Sequence, residues 1–162
     1  MKIAVFSDTH GSLTALARVR EHLLGIDCFA HCGDGLTELD ELSRTFHSGY
    51  VFVRGNCDPY SEIPLERTVT WNGVRVLLLH GHTVSGKMNL YYRAKSQDCS
   101  LVLYGHSHTA SCEQHDGIWF VNPGSLSRPR GMKPGSCALI SLDGEITQVE
   151  ILYTNGTKDL YK

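Results

Sequence analysis

Residues 2–11 read Lys2-Ile3-Ala4-Val5-Phe6-Ser7-Asp8-Thr9-His10-Gly11. Ile3 to Phe6 form a short apolar run that stops abruptly at polar residues. This predicts a buried strand followed by a functional loop. Residues 12–24 predict a helix: Leu13, Leu16, Ala17, Val19, Leu23 and Leu24 recur at mostly helical spacing, with Ser12 as the expected cap. Cys28-Phe29-Ala30 reads as a second strand, closed by His31-Cys32-Gly33-Asp34-Gly35. Residues 38–46 read as a second helix. Tyr50–Val53 reads as a third strand, ending at Arg54-Gly55-Asn56-Cys57-Asp58. A strand–helix–strand–helix–strand start predicts a parallel sheet.

The second half has a different character. Thr68–Trp71 and Val74–Leu79 flank Asn72-Gly73, a strong hairpin signal. A helix is expected at 88–95, then a strand at Leu101–Tyr104 that leads into Gly105-His106-Ser107-His108. Ala110–Gln114, Asp116-Gly117, Ile118–Val121, 137–142, Asp143-Gly144 and 146–153 read as a run of hairpins. Two packed sheets with helices outside accommodate an α/β beginning and a mostly antiparallel end.

Composition bounds the function. A chain of 162 residues can bury a real core, and residues 1–162 are expected to form one domain. With 41% hydrophobic and 20% charged residues, disordered and fibrous classes are excluded. A net charge of -2 offers no basic coat, so a stable nucleic-acid complex is not expected. No apolar run approaches the ~20 residues of a membrane helix. The apolar start is shorter than the roughly 7–15 residues of a secretory core, so the expected location is the cytoplasm. There the six cysteines should be reduced thiols. The absence of a Cys-x-x-Cys pair speaks against a zinc knuckle or a thioredoxin-type motif. Nine histidines are unusual, and histidine is the commonest metal ligand.

One pattern dominates. Predicted strands end in Asp, His or Asn, usually beside Gly: Asp8 and His10, Asp34, Asn56, His80, then His106 and His108. Sites in α/β sheets lie beyond the carboxyl ends of strands, so these five ends should converge. Grouping imidazoles and carboxylates without a cation is costly. Asp8-x-His10 and His106-x-His108 are expected to direct alternate residues to one side of an extended segment. Seven ligands exceed one tetrahedral zinc and suit two divalent ions. The mixture of imidazole, carboxylate and amide suits manganese, iron, zinc or nickel.

Asp8-Thr9-His10, Gly33-Asp34, Gly55-Asn56-Cys57-Asp58, His80-Gly81-His82 and Gly105-His106-Ser107-His108 stand in the order of the calcineurin-like metallophosphoesterase superfamily, which the chain resembles. Asn122-Pro123-Gly124-Ser125 matches a late motif, so the resemblance runs from residue 1 to at least 130. The compact length and the Gly-Asn-Cys-Asp variant are similar to the small YfcE-type phosphodiesterases. The resemblance implies an α+β fold, a four-layer αββα sandwich of two mixed sheets flanked by helices. It implies one metal on Asp8, His10 and His108, another on Asn56, His80 and His106, and Asp34 bridging both, with manganese foremost. No ligand position departs from the pattern. The implied reaction is in-line attack on phosphorus by a metal-bridging hydroxide, on a small phosphodiester.

The leaving-group acid is less defined. Many superfamily members carry His where Cys57 stands, and a thiol is a poor mimic of an imidazolium. His82 or a metal-bound water then takes that role, or none does, and turnover should be modest. Asp58 is expected either to orient a ligand imidazole or to serve as a turn residue before Pro59. Arg128 and Arg130 are read as solvated loop charges or as phosphate contacts. His31 is expected beneath the site. A homodimer or homotetramer through apolar hairpins stays open. The competing functions are phosphomonoester hydrolysis on the same fold and a non-catalytic scaffold like a retromer subunit.

Overall fold

The computed structural model describes residues 1–38, 49–59 and 62–162. Its strands are β1 (Lys2–Phe6), β2 (Cys28–His31), β3 (Gly49–Phe52), β4 (Glu66–Trp71), β5 (Val74–Leu79) and β6 (Leu101–Leu103), then β7 (Ser111–His115), β8 (Ile118–Asn122), β9 (Ser136–Leu142), β10 (Ile146–Tyr153) and β11 (Lys158–Tyr161). Helix α1 spans Leu13–Val19 and α2 spans Lys87–Ser96. The helix expected at 38–46 lies, past its first residue, outside the described residues.

Two mixed sheets form, in the orders β11-β10-β9-β1-β2-β3 and β4-β5-β6-β8-β7. The expected parallel core is present: Phe6 pairs with His31, and His31 pairs with Phe52. That register ends β1, β2 and β3 level, so the loops after them share one rim. The run of hairpins is only partly realised. β8 pairs antiparallel with β7 but parallel with β6, and β5 is parallel to β6. β7 takes the outer edge, so β8 enters between it and β6. This brings the ends of β5, β6 and β8 to a common rim as well. β11 is not predicted from the sequence, because it carries only two apolar residues, Leu160 and Tyr161, and lies at a sheet edge. Of the three predicted Gly hairpins, two close through left-handed pairs, Asn72 and Gly73 at φ 45 and 82° and Asp116 and Gly117 at φ 48 and 75°, and the turn between β9 and β10 has Gly144 at φ 73°.

Strand alternation explains the layers. Ile3 and Val5 face inward with Val76, Leu78, Leu103, Val121 and Ile140, forming the core between the sheets. Ala4 and Phe6 face outward and pack with Leu16, Val19 and Leu23. Leu77 and Leu79 face outward on the other sheet and meet Leu90 and Ala94 of α2. Both faces of β1 and β5 are therefore buried, which is why each reads as a nearly continuous apolar run. The architecture is the expected αββα sandwich. Each fully buried large side chain contributes about 1.5–3 kcal/mol, and truncating one such as Leu78 to Ala costs about 2–5 kcal/mol.

The first helix is shorter than its periodicity predicts. It tightens to a 3-10 turn over Arg20–Leu23, and Gly25 at φ 75° carries the chain away. Ser12 does not cap it through its side chain. Its carbonyl accepts the Leu16 N–H instead.

Candidate metal centre

Loops from both sheets bring Asp8, His10, Asp34, His80 and His108 together. Asp8, His10 and His108 offer ligand atoms within 4.8 Å of one another, as do Asp8, Asp34 and His80, and as do His10, Asp34 and Cys57. Asp8, His10 and Asp34 each occur in two of these groups, which knits them into one cluster. His106 lies beside it, its ring centroid 5.2 Å from that of His80. His82 is 5.4 Å from His80 and 6.2 Å from His106. Asn56 is exposed in the loop after β3, and its Nδ2 donates to Cys57 Sγ at 3.3 Å.

The backbone converges in a way the sequence did not show. Asp8, His10, Asp34, His106 and His108 all have positive φ, between 46 and 69°. They are five of the eight described non-glycine residues with that property. The left-handed conformation is uncommon outside glycine and is kept where surroundings enforce it. Asp8-x-His10 and His106-x-His108 are therefore not extended segments, and strand alternation does not aim their side chains. Successive left-handed turns do.

A hydrogen-bonded frame enforces those turns. Asp58 accepts four backbone N–H groups: Asp34 and Gly55 on Oδ2 at 2.7 Å each, Gly35 and Leu36 on Oδ1 at 2.9 Å each. It clamps the loops after β2 and β3 and orients no imidazole, contrary to one expectation; four donors also give it far more than a turn role. The close approach requires Gly55, because a Cβ there would overlap Asp34 Oδ1. From β8, Asn122 Nδ2 donates to the Gly105 carbonyl at 2.9 Å, and Ser125 Oγ donates to the Asp8 carbonyl at 2.6 Å. The sequence motif by itself assigns these residues no task. Ser7, equally unmarked in the sequence, donates through Oγ to Asp8 Oδ2 at 2.6 Å. Its position next to Asp8 was the available signal.

Ring tautomers follow from the same frame. His80 Nδ1 lies 2.7 Å from the Cys32 carbonyl and His108 Nδ1 lies 2.7 Å from the Arg128 carbonyl. A carbonyl only accepts, so each Nδ1 carries the proton and each Nε2 presents a lone pair inward. His108 Nε2 is 3.1 Å from Asp8 Oδ1, and His80 Nε2 is 3.4 Å from Asp34 Oδ2. Asp8 Oδ1 and His80 Nε2 are buried and have no hydrogen-bond partner, as is His82 Nδ1. Buried polar atoms are rarely left so. Lone pairs facing carboxylates suit a divalent cation, and the donor set fits one.

Protonation agrees. Burial lowers the pKa of His10, and burial with the nearby His80 lowers His82 and His106. Burial pushes Asp34 up, but His80 and the Cys57 N–H outweigh it and hold the carboxyl well below its usual range. His80 runs the other way: burial disfavours its charge, but Asp34 and Asp8 overcome it and raise that pKa, so a proton competes with a cation for its Nε2. The Cys57 thiol is raised by its bond to Asp34 and by burial, so it stays protonated near neutrality.

Other expected residues fall where their surroundings dictate. His31 is fully buried beneath the cluster, against Thr9 Oγ1 at 3.0 Å. Arg128 and Arg130 are exposed, yet their charges reach His10 and His106 respectively.

The model of the calcineurin-like phosphoesterase superfamily domain matches residues 1–145. The chain belongs to that superfamily. Among curated relatives of this phosphoesterase, Phosphodiesterase YfcE of Escherichia coli K12 is 34% identical over 168 residues, covering 88% of this chain and 89% of the relative. A predicted phosphoesterase of Streptococcus pneumoniae superposes with a TM-score of 0.81 at 29% identity, over 99% of this chain and 96% of that one. Vps29 of Entamoeba histolytica gives a TM-score of 0.82 at 20% identity, over 99% and 98%, a likeness of fold alone. Among the described residues of the phosphoesterase, no helix is long and apolar enough to cross a membrane.

Proposed function

We propose that this phosphoesterase is a phosphodiesterase that works with two divalent cations, manganese foremost and nickel, iron or zinc as alternatives. The observation that carries the reading is the pair of buried, unpartnered atoms Asp8 Oδ1 and His80 Nε2 at the centre of the cluster. The name of the YfcE relative supports a diester substrate. Asp8, His10 and His108 would hold one ion; Asn56, His80 and His106 the other; Asp34 both. Such ions supply Lewis acidity toward phosphate oxygens and an acidified water.

The chain's own residues do the rest. The Cys32 and Arg128 carbonyls fix His80 and His108 in ligand tautomers. Arg128 and Arg130 grip phosphate oxygens from the rim. Burial disfavours the imidazolium form of His82, so it is seldom charged to protonate the leaving oxygen, and the Cys57 thiol, although protonated, is a weaker acid than an imidazolium. Turnover is therefore modest and favours good leaving groups. The substrate is a small phosphodiester; the reading includes one domain over 1–162, a cytoplasmic location, and a homodimer or homotetramer.

Manganese-loaded protein is assayed on bis(p-nitrophenyl) phosphate and p-nitrophenyl phosphate, with metal content measured on the same sample. Hydrolysis of the diester in preference to the monoester is expected. A strong monoester preference replaces this reading with a phosphomonoesterase. Absent turnover with sub-stoichiometric metal replaces it with a protein-binding scaffold.

A further inference from the structure

A cavity of about 380 Å³ opens between α2 and the loop after β6. Gly105 and His106 form one wall, so it begins where the metal-ligand cluster stops. Its volume lies in the range of small-molecule sites. Val84, Leu90 and Tyr104 supply carbon surface to it.

Several polar side chains around it already have partners within the protein. Lys87 Nζ pairs with Glu113 Oε1 at 2.6 Å. The Tyr104 hydroxyl and Ser111 Oγ are 3.2 Å apart. Ser107 Oγ accepts from Asn122 Nδ2 at 3.0 Å, and Thr109 Oγ1 donates to the Ser107 carbonyl at 3.4 Å. An ionic or heavily hydroxylated group entering here finds few free partners and competes with these bonds. An apolar group needs none of them and gains by leaving water.

We propose that this cavity is the subsite for one ester arm of the phosphodiester, and that the arm is uncharged, apolar and ring-sized. The inference rests on the phosphodiesterase reading of the adjoining centre. A free lysine in the wall would point to a second phosphate or an acidic headgroup, but the Lys87 charge is matched by Glu113. The subsite thus selects the substrate by what surrounds the phosphate, while the metal centre takes the phosphate itself.

The test measures binding without turnover. Manganese-loaded protein is titrated by calorimetry with diphenylphosphinate and dimethylphosphinate. Both keep the anionic PO2 group of a diester and neither has a leaving group. Diphenylphosphinate is expected to bind about tenfold tighter or more, through the area its ring buries. Val84→Trp fills the cavity and should bring diphenylphosphinate down to the dimethylphosphinate level, leaving the latter unchanged. Ser111→Trp, projecting from β7, should do the same if Val84→Trp does not fold. Lys87→Ala should change diphenylphosphinate affinity by less than about twofold. Equal affinities for wild type, or a diphenyl preference that survives in a folded filled variant, overturn the subsite. A loss of about tenfold or more in Lys87→Ala overturns the uncharged arm. If stoichiometrically loaded protein binds neither compound, the reading of the metal centre fails and takes the subsite with it.

Discussion

The Nε2 atoms of His10 and His108 face each other at 3.4 Å across 98 residues of chain. His108 Nδ1 keeps its proton against the Arg128 carbonyl, so its Nε2 brings a lone pair to that meeting. Asp8 Oδ1 adds a carboxylate 3.1 Å from the same nitrogen. Two imidazoles and a carboxylate held this way lack a counter-charge, and a cation supplies one. If the cluster is a metal centre, removing its ligands must remove activity before it removes the fold. Asp34→Asn and His108→Ala are each expected to lower kcat/KM on a chromogenic diester by about 100-fold or more, since even outer-shell changes cost 10–100-fold. Circular dichroism should stay near wild type, because both residues lie on loops beyond the sheets. Near-normal activity of Asp34→Asn in metal-replete buffer would refute its bridging role.

Metal should also be visible as stability. Ions that bind only the folded chain add about 2.7 kcal/mol at a hundredfold excess over Kd. Manganese should raise the melting temperature of chelator-treated protein, and the rise should shrink in Asp34→Asn. An equal rise in wild type and variant would place the bound ion elsewhere.

Asp58 carries a structural prediction of its own. Its carboxylate holds four backbone N–H groups from two loops. Asp58→Ala leaves those donors unpaired and should cost about 3 kcal/mol or more in urea denaturation. Asp58→Asn, which keeps the size but loses acceptor strength, should fall between the two. A loss below about 1 kcal/mol for Asp58→Ala would mean that water replaces the clamp.

His31 makes stability depend on pH. Its Nδ1 accepts the Gly33 N–H at 3.1 Å and its Nε2 meets Thr9 Oγ1 at 3.0 Å. Burial pushes its pKa down from 6.5 to about 4. The unfolded chain takes up a proton that the folded ring refuses, so stability falls as pH drops through that window and is level above it. The full loss for His31 alone is about 3 kcal/mol. His10, His82 and His106, also lowered, act in the same direction. Urea midpoints of metal-free wild type and His31→Gln at about pH 7 and about pH 5 check this, and the variant should lose less on acidification. Identical losses would exclude His31 as a contributor.

The primary structure alone determined much of this protein. Alternation and turn residues placed β1, β2, β4, β5 and the three Gly hairpins, because burial on two faces and left-handed glycine turns leave local marks. The residue types and their strand-end positions are equally local, which is why Asp8, His10, Asp34, Asn56, His80, His106 and His108 stand out as candidate ligands in the sequence. What lies between distant segments was not legible. The parallel pairing of β6 with β8 depends on β7 taking the sheet edge, and no residue of β8 encodes that choice. The left-handed backbone at five site residues follows from the Asp58 clamp and the Ser125 and Asn122 bonds, so it exists only once the loops have met. The tautomers of His80 and His108 likewise depend on carbonyls 48 and 20 residues away. Side-chain identity is written in the chain, whereas direction, protonation and partner are set by contacts that form only on folding.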